Sequence, residues 1–266
     1  MQGLKQIKYI VLLFFACMVH LLSAQTKILI HAHSHNDYKQ KHPLTDALNN
    51  GFSSIEVDVF LKNNKLIVSH TYPVFKKETL ETLYLKALQD SIVRNQGMVY
   101  STNKEPIILL IEFKNDSHKT YSLLKSILEK YKSMLTSYEN GEIIKRAITI
   151  IITGNKPTEE IKKESIRYAF IDENLLTIEN NNSFKIYPLA STKYSKILKW
   201  KGQGEIPKIE KQKLIEFVST AHQQGKKTRL WASPENKNVW QELLNCGVDY
   251  INTNQLKELR DFLLLQ

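Results

Sequence analysis

Cysteine is the scarcest residue in this chain. Its 266 residues hold two, Cys17 and Cys246. Cys17 falls in a leading apolar stretch, so residues 25–266 can form no internal disulfide, and a fold of that size can stand without one. Cys246, in "WQELLNCGVDY", reads as a packed thiol at a helix end rather than a nucleophile. Apolar runs of membrane-spanning length are also missing. "YIVLLFFACMVHLLSA" covers 16 residues and is interrupted by His20, whereas a spanning helix needs about 20. Preceded by Lys5 and Lys8 and closed by Ala24, the stretch has the layout of a secretory signal peptide. The expectation is export, to the periplasm or out of the cell, with removal of residues 1–24. Lipoprotein anchoring through Cys17 fits less well, because Phe14 and Phe15 stand where small residues are needed.

Acidic residues are outnumbered, 27 against 37 Lys and Arg, for a formal charge of +10, or +8 without Lys5 and Lys8. That balance suits an anionic partner such as a phosphate or an anionic lipid surface, or it is simply a lysine-rich solvated surface. No basic run is interleaved with aromatics, so nucleic acid binding has no specific support. No internal repeat and no domain boundary is visible. One monomeric domain over 25–266, with contact to a membrane surface, is the expectation.

Short apolar runs alternate with helical patterns along that domain. Strands are predicted at "KILIHAH" (27–33), "SSIEVDVF" (53–60), "IILLIEF" (107–113), "AITIII" (147–152), "RYAFID" (167–172), "FKIYPL" (184–189), "KTRLWA" (227–232) and "VDYINT" (248–253). Helices are predicted between several of them, with apolar residues recurring at three and four. Eight strands alternating with helices predict a (β/α)8 TIM-type barrel of the α/β class. An open doubly wound sheet is the competing architecture. "NNKLIVSH" (63–70) follows the second strand too closely to be a barrel strand and reads as a hairpin arm.

Histidine is also sparse, eight in all, yet "HAHSHNDY" (31–38) places three of them at every second residue. Side chains of a strand alternate faces. His31, His33 and His35 therefore share one side if the strand runs that far, as do Glu56 and Asp58, and Glu112 and Lys114. In a barrel such inward faces converge at the mouth. Two acids inside an apolar run are costly to bury unpartnered. Glu56, Asp58 and Glu112 are hard oxygen donors of the kind Mg²⁺ and Ca²⁺ prefer. The alternative is a structural cluster with Lys114 as counter-ion. His70 ends an arm that can fold back over the acidic pair, and imidazoles titrate near neutral pH, as acid and base catalysts must. His31 lies deeper and reads as a hydrogen-bonded core residue.

Taken together, "HAHSHNDY", "PLTDALNNGFSSIEVDVFLKNNKLIVSH", "LLIEFK" and "GVDYINTNQL" resemble the glycerophosphodiester phosphodiesterase superfamily. That superfamily shares its barrel with phosphatidylinositol-specific phospholipase C and spider-venom sphingomyelinase D. The branch marked by "HSHNDY" includes altered inheritance of mitochondria protein 6. The resemblance spans residues 27 to about 262. It implies His33, with His35 as the rival register, and His70 as the catalytic histidines. It also implies Glu56, Asp58 and Glu112 as ligands of Mg²⁺ or Ca²⁺, Lys114 near the phosphate, and Trp231 as a wall of the substrate pocket. The activity implied is metal-assisted cleavage of a phosphodiester, of the glycerophosphodiester or phospholipid class. One departure stands out. The superfamily follows its first histidine with arginine and glycine, where this chain has Ser34 and His35, so the arginine that grips the phosphate is missing. His35, Asn36 or Lys114 are the nearby residues that could replace it.

Two other readings compete. A His-x-His motif also ends the first strand of amidohydrolase-type metallohydrolases, which need further histidine ligands on later strands. After His70 only His118 and His222 remain, both in helical patterns. A barrel that binds a phosphodiester or lipid head group without turnover is the non-enzymatic alternative.

Overall fold

The computed structural model describes residues 26–179 and 183–266. The expected signal peptide and Cys17 lie outside them. The described strands are β1 (Leu29–Ser34), β2 (Phe52–Lys62), β3 (Lys65–Val68), β4 (Ile107–Phe113), β5 (Ser137–Glu139), β6 (Glu142–Ile144), β7 (Ile148–Gly154), β8 (Ile166–Arg167), β9 (Ala169–Asn174), β10 (Leu189–Lys193), β11 (Lys227–Trp231) and β12 (Tyr250–Thr253). The α-helices are α1 (Thr45–Asn49), α2 (Lys86–Arg94), α3 (Ser117–Lys130), α4 (Thr158–Lys162), α5 (Lys208–Gln223), α6 (Lys237–Asn245) and α7 (Leu256–Leu263). Among the described residues no helix is long and apolar enough to cross a membrane.

Eight strands run parallel in the order β1-β12-β11-β10-β9-β7-β4-β2, and β1 also pairs with β2, which closes the ring. The fold is the expected (β/α)8 barrel, not an open sheet. The near-continuous Val/Ile/Leu runs of β2, β4 and β7 are what strands covered on both faces require. The outward residues Ile55, Val57, Val59, Leu109, Ile111, Ile150 and Ile152 are buried in the main core, beneath the helices. The inward residues Ile108, Leu110, Ile151, Phe170 and Leu189 form a separate apolar layer inside the barrel. One step along each strand the inner face turns polar, to Glu112, Thr153, Asp172 and Ser191, and these residues lie at the C-terminal mouth. The small antiparallel sheet β6-β5-β8 lies apart from the barrel sheet, and Tyr138 and Ile143 pack from it against the inner apolar layer. Cys246 is buried in the main core, as expected of a packed thiol, and burial pushes its pKa up.

The arm β3 is antiparallel to β2, with Lys62 opposite Lys65 and the two-residue turn Asn63–Asn64 between them. Both turn residues have positive φ, 49° and 55°. This is the left-handed geometry of a type I′ hairpin turn, which asparagine tolerates better than other side chains do. The arm carries His70 back to the mouth, where the Ser69 amide donates to the Asp58 carbonyl at 3.1 Å.

The sixth barrel strand is displaced from its predicted position. Residues 184–188 are not a strand: the amides of Ile186 and Tyr187 both donate to the Ser183 carbonyl, at 2.9 and 3.0 Å, and close a helical turn. Pro188, which lacks an amide, ends that turn, and β10 begins at Leu189. His31 also parts from the other two histidines. The register of β1 against β2 shifts between Leu29 and His33, and the His31 ring bonds to the Asp249 carbonyl at 2.8 Å, toward the opposite end of the barrel.

At that opposite end Asp249 accepts from His222 Nε2, Lys227 Nζ and the Thr228 amide, each at 2.8 Å. Burial alone would push its carboxyl up, but the bonds from Lys227 and His222 outweigh burial and hold it below the ordinary value. A group lowered on folding adds stability that is complete above its unfolded pKa, about 4, and is lost as pH falls. Asp249→Asn is expected to cost about 1–2 kcal/mol at neutral pH. It should also flatten the decline of urea midpoints between about pH 5 and pH 3. An unchanged acid limb would mean that Asp249 is not a site of acid sensitivity.

Candidate active site at the barrel mouth

Register fixes the acidic group. Asp58 of β2 lies opposite Glu112 of β4, which lies opposite Thr153 of β7. Glu56 stands two residues below Asp58 on the same inner face. One carboxylate oxygen from each of Glu56, Asp58 and Glu112 falls within 4.8 Å of the others. Gly154 makes room for this. A Cβ there would lie 2.7 Å from Glu112 Cγ, and the residue's φ of 71° suits only glycine without strain.

Asp58 is the hub. Its Oδ2 lies 2.7 Å from the Tyr38 hydroxyl, 2.9 Å from His70 Nδ1 and 2.9 Å from Lys114 Nζ. Its Oδ1 is buried and has no hydrogen-bond partner. Lys114 also donates to Glu112 Oε1 at 2.9 Å. Burial, and then the neighbouring Asp58, push the Glu112 carboxyl above its ordinary value. Burial works against the charged form of Lys114, but Glu112 and Asp58 outweigh it and raise its pKa.

His33 lies beneath this group and is wholly buried. Its Nδ1 is 2.7 Å from Ser54 Oγ, and its Nε2 is 2.9 Å from Glu56 Oε2 and 2.8 Å from Arg229 Nη1. Burial, with Arg229 adding to it, lowers the His33 pKa to about 4, so the ring is neutral at neutral pH. Arg229 donates a short hydrogen bond to Glu56. Burial would raise the Glu56 pKa, but Arg229 and His33 overcome it and hold the carboxyl well below the ordinary range. Arg229 is itself fixed by Ser191 Oγ and Asn252 Oδ1, both at 3.3 Å.

These residues open on a cleft of about 360 Å³ lined by His35, Asn36, Glu56, His70, Glu112, Lys114, Thr153, Gly154, Arg229 and Trp231. Every residue predicted for the site lines this cleft except His33, which lies under it, and Asp58, which is fully buried at the hub. A second cleft, of about 380 Å³, opens at the other end of the barrel among Leu29, Ile30, Leu244 and Leu263, and no acidic side chain lines it. Among the described residues the histidine-rich centre of the amidohydrolase reading is not formed. His118 and His222 sit on α3 and α5 and pair with Glu160 and Asp249.

Sequence reasoning missed two polar groups here. Arg229 stands two residues before Trp231 on β11, so period-two alternation from the tryptophan could have found it. Tyr38 closes the "HSHNDY" motif. Its hydroxyl lies 2.6 Å from Asn36 Oδ1 as well as against Asp58. The neighbouring Asp37 serves the loop instead, accepting from Ser34 Oγ at 2.8 Å and Tyr84 OH at 2.9 Å.

A divalent cation fits this donor set. Three carboxylates converge at the end of a barrel, and one of their oxygens is buried without any partner. Hard cations take such oxygens, and a buried acceptor left unpaired is otherwise costly.

The crystal structure of a glycerophosphodiester phosphodiesterase from Parabacteroides distasonis superimposes with a TM-score of 0.59 at 16% identity, covering 90% of this chain and 98% of that one. Among curated relatives, altered inheritance of mitochondria protein 6 from Eremothecium gossypii is 29% identical over 277 residues, which cover 91% of this chain and 71% of the relative. Its counterpart from Candida glabrata is 31% identical over 85% of this chain and 69% of the relative. Residues 227–257 match the glycerophosphoryl diester phosphodiesterase family. With residues 23–172 matching the AIM6-like phosphodiesterase domain, the chain belongs to that family, a branch of the glycerophosphodiester phosphodiesterase-like superfamily.

Proposed function

We propose that the chain is an exported phosphodiesterase that uses a divalent cation, Mg²⁺ or Ca²⁺, to cleave a diester of the glycerophosphodiester or phospholipid class. The observation that carries this reading is Asp58. Its Oδ1 is buried and unpartnered, one of its carboxylate oxygens lies within 4.8 Å of one from Glu56 and one from Glu112, and its Oδ2 holds both a histidine and a lysine at the rim of the cleft. A cation held by Glu56, Asp58 and Glu112 would supply charge stabilisation at a non-bridging phosphate oxygen.

The chain's own residues divide the remaining work. His70 is half-exposed and bonds to Asp58 through Nδ1, which orients the ring and leaves Nε2 to exchange a proton with the substrate. His33, neutral and two residues from the rim, is the second proton-transfer group. Its Nε2 is covered by Arg229, and a phosphate that draws the guanidinium upward would uncover it. Arg229 thus takes the place of the superfamily arginine that Ser34 replaces: the guanidinium reaches the same cleft from the seventh barrel strand. Lys114 adds a second cation, His35 and Asn36 line the cleft from the end of β1, and Trp231 lines it from the end of β11.

The test is turnover on glycerophosphodiesters, lysophospholipids and an activated aryl diester, each with Mg²⁺, with Ca²⁺ and with chelator. Chelator-sensitive cleavage is expected. In the same assay Arg229→Lys, which leaves Glu56 a buried cation but gives up the guanidinium fork, should raise KM about tenfold. Protein that binds the cation and cleaves nothing would instead favour the non-catalytic head-group binder.

A further inference from the structure

The segment that leaves His70, "TYPVF" followed by Lys76 and Lys77, is unlike the rest of the surface. Tyr72 is 61% exposed, Val74 62% and Phe75 91%. Single exposed apolar side chains are ordinary, but three within four residues form a patch that water alone does not explain. The patch is held outward from below. Lys62 Nζ donates to the carbonyls of Pro73 and Val74. The same ammonium sits 5.4 Å from the centre of the Tyr72 ring, which also packs edge-on against Phe60 at 5.9 Å. The loop is therefore braced at its base while its apolar tips stay in solvent.

Its charge is mostly positive. Residues 70–77 contain no acid, the exposed Glu78 that follows turns its carboxylate back to the Lys77 amide, Lys76 and Lys77 are exposed, and Lys39 and Lys41 are exposed on the adjacent loop. The loop also leans over the site, with Lys76 Nζ 5.9 Å from the ring of Tyr38, whose hydroxyl touches Asp58 and His70. Trp231, which also lines the cleft, is exposed too, with Lys193 Nζ 5.5 Å from its ring. Aromatic and aliphatic tips ringed by lysines match a bilayer interface, where the rings enter the headgroup region and the ammonium groups meet lipid phosphates.

We propose that residues 72–77 are a membrane-docking loop that seats the barrel mouth on an anionic phospholipid surface. The inference rests on the phosphodiesterase reading only in this respect: with both, the substrate is a diester presented at that surface and not one free in solution. A protein partner is disfavoured because the tip offers it cations and apolar groups but no hydrogen-bonding edge and no acid.

The test places a reporter in the loop of the full chain. In Phe75→Trp the added indole, read by subtracting the parent's emission, should shift to the blue on vesicles of mixed phosphatidylcholine and phosphatidylserine. It should also be quenched by shallow brominated acyl chains. Lys76→Glu with Lys77→Glu, added to Phe75→Trp, should weaken that response at least tenfold, since each basic residue near an anionic surface adds about 1 kcal/mol. Because the signal comes from position 75, it is separate from any binding through residues 1–24. An added indole that stays in water with both anionic and pure phosphatidylcholine vesicles overturns the proposal and leaves the loop to a protein. An equal response to both vesicle types overturns the role of the lysines. Insertion without turnover of any diester would sink the phosphodiesterase reading alone, and turnover without insertion would sink the loop alone.

Discussion

Asp58→Ala is expected to bind Mg²⁺ or Ca²⁺ at least 100-fold more weakly and to lose about 1,000-fold in phosphodiester turnover, with the fold intact. The substitution removes the unpartnered Oδ1 and, among the described residues, the only carboxylate that His70 touches. It strands no buried charge, because Lys114 keeps Glu112 and the Tyr38 hydroxyl keeps Asn36. Glu56 is a poorer probe. Removing it would leave Arg229 buried without its carboxylate, a loss that typically costs about 3–5 kcal/mol and would confuse lost function with lost structure. Calorimetric titration of the cation, circular dichroism and turnover separate the three quantities. Parent-like affinity and turnover together would remove Asp58 from the site.

His70→Ala should leave cation affinity within a few-fold of the parent and lower kcat by about 100- to 10,000-fold, the range ascribed to a positioned proton-transfer group. The ring is half-exposed at the end of an arm and packs little, so stability should hardly change. The choice of substrate decides which proton it moves. An aryl diester with a good leaving group needs no acid, so a much smaller loss on that substrate than on an alkyl diester identifies His70 as the acid. Equal losses identify it as the base, and an unchanged kcat on both ends its catalytic role.

What could be read from the sequence followed from local alternation. The runs around Ile55–Val59 and Ile107–Phe113 carry their acids on one face, and a period of two is enough to place Glu56, Asp58 and Glu112 together. The arm 63–70 was legible from its spacing. Arg229 was not, because its importance depends on ring closure bringing β11 against β1 and β2, an event with no local trace. For the same reason the burial of His33 was invisible: "HAHSH" shows that the histidines alternate, not where the strand ends or where its register slips against β2. The shift of β10 reflects a competition the apolar pattern does not show. Tyr187 is buried like a strand residue, yet the amides of Ile186 and Tyr187 are satisfied on Ser183, and the segment meets β9 through the Ile186 carbonyl, which accepts from the Ile171 amide. The sheet β6-β5-β8 escaped because strands of two or three residues carry no periodicity.

The turn at Asn63–Asn64 has a bearing on how barrels of this design can diverge. One proposed proton-transfer residue, His33, is welded into the closed ring. The other, His70, rides on an outrigger tied to the ring through β2. Their separation is therefore a ruler whose scale is set by a two-residue connection remote from the cleft. A one-residue slip of β3 against β2 would turn His70 to the opposite face, removing the proposed proton-transfer group without touching the carboxylates. Resetting the arm as a unit would present a different side chain to the same carboxylates. A barrel of this design can thus change its reaction, or shed it, by editing its periphery while its eight staves stay as they are.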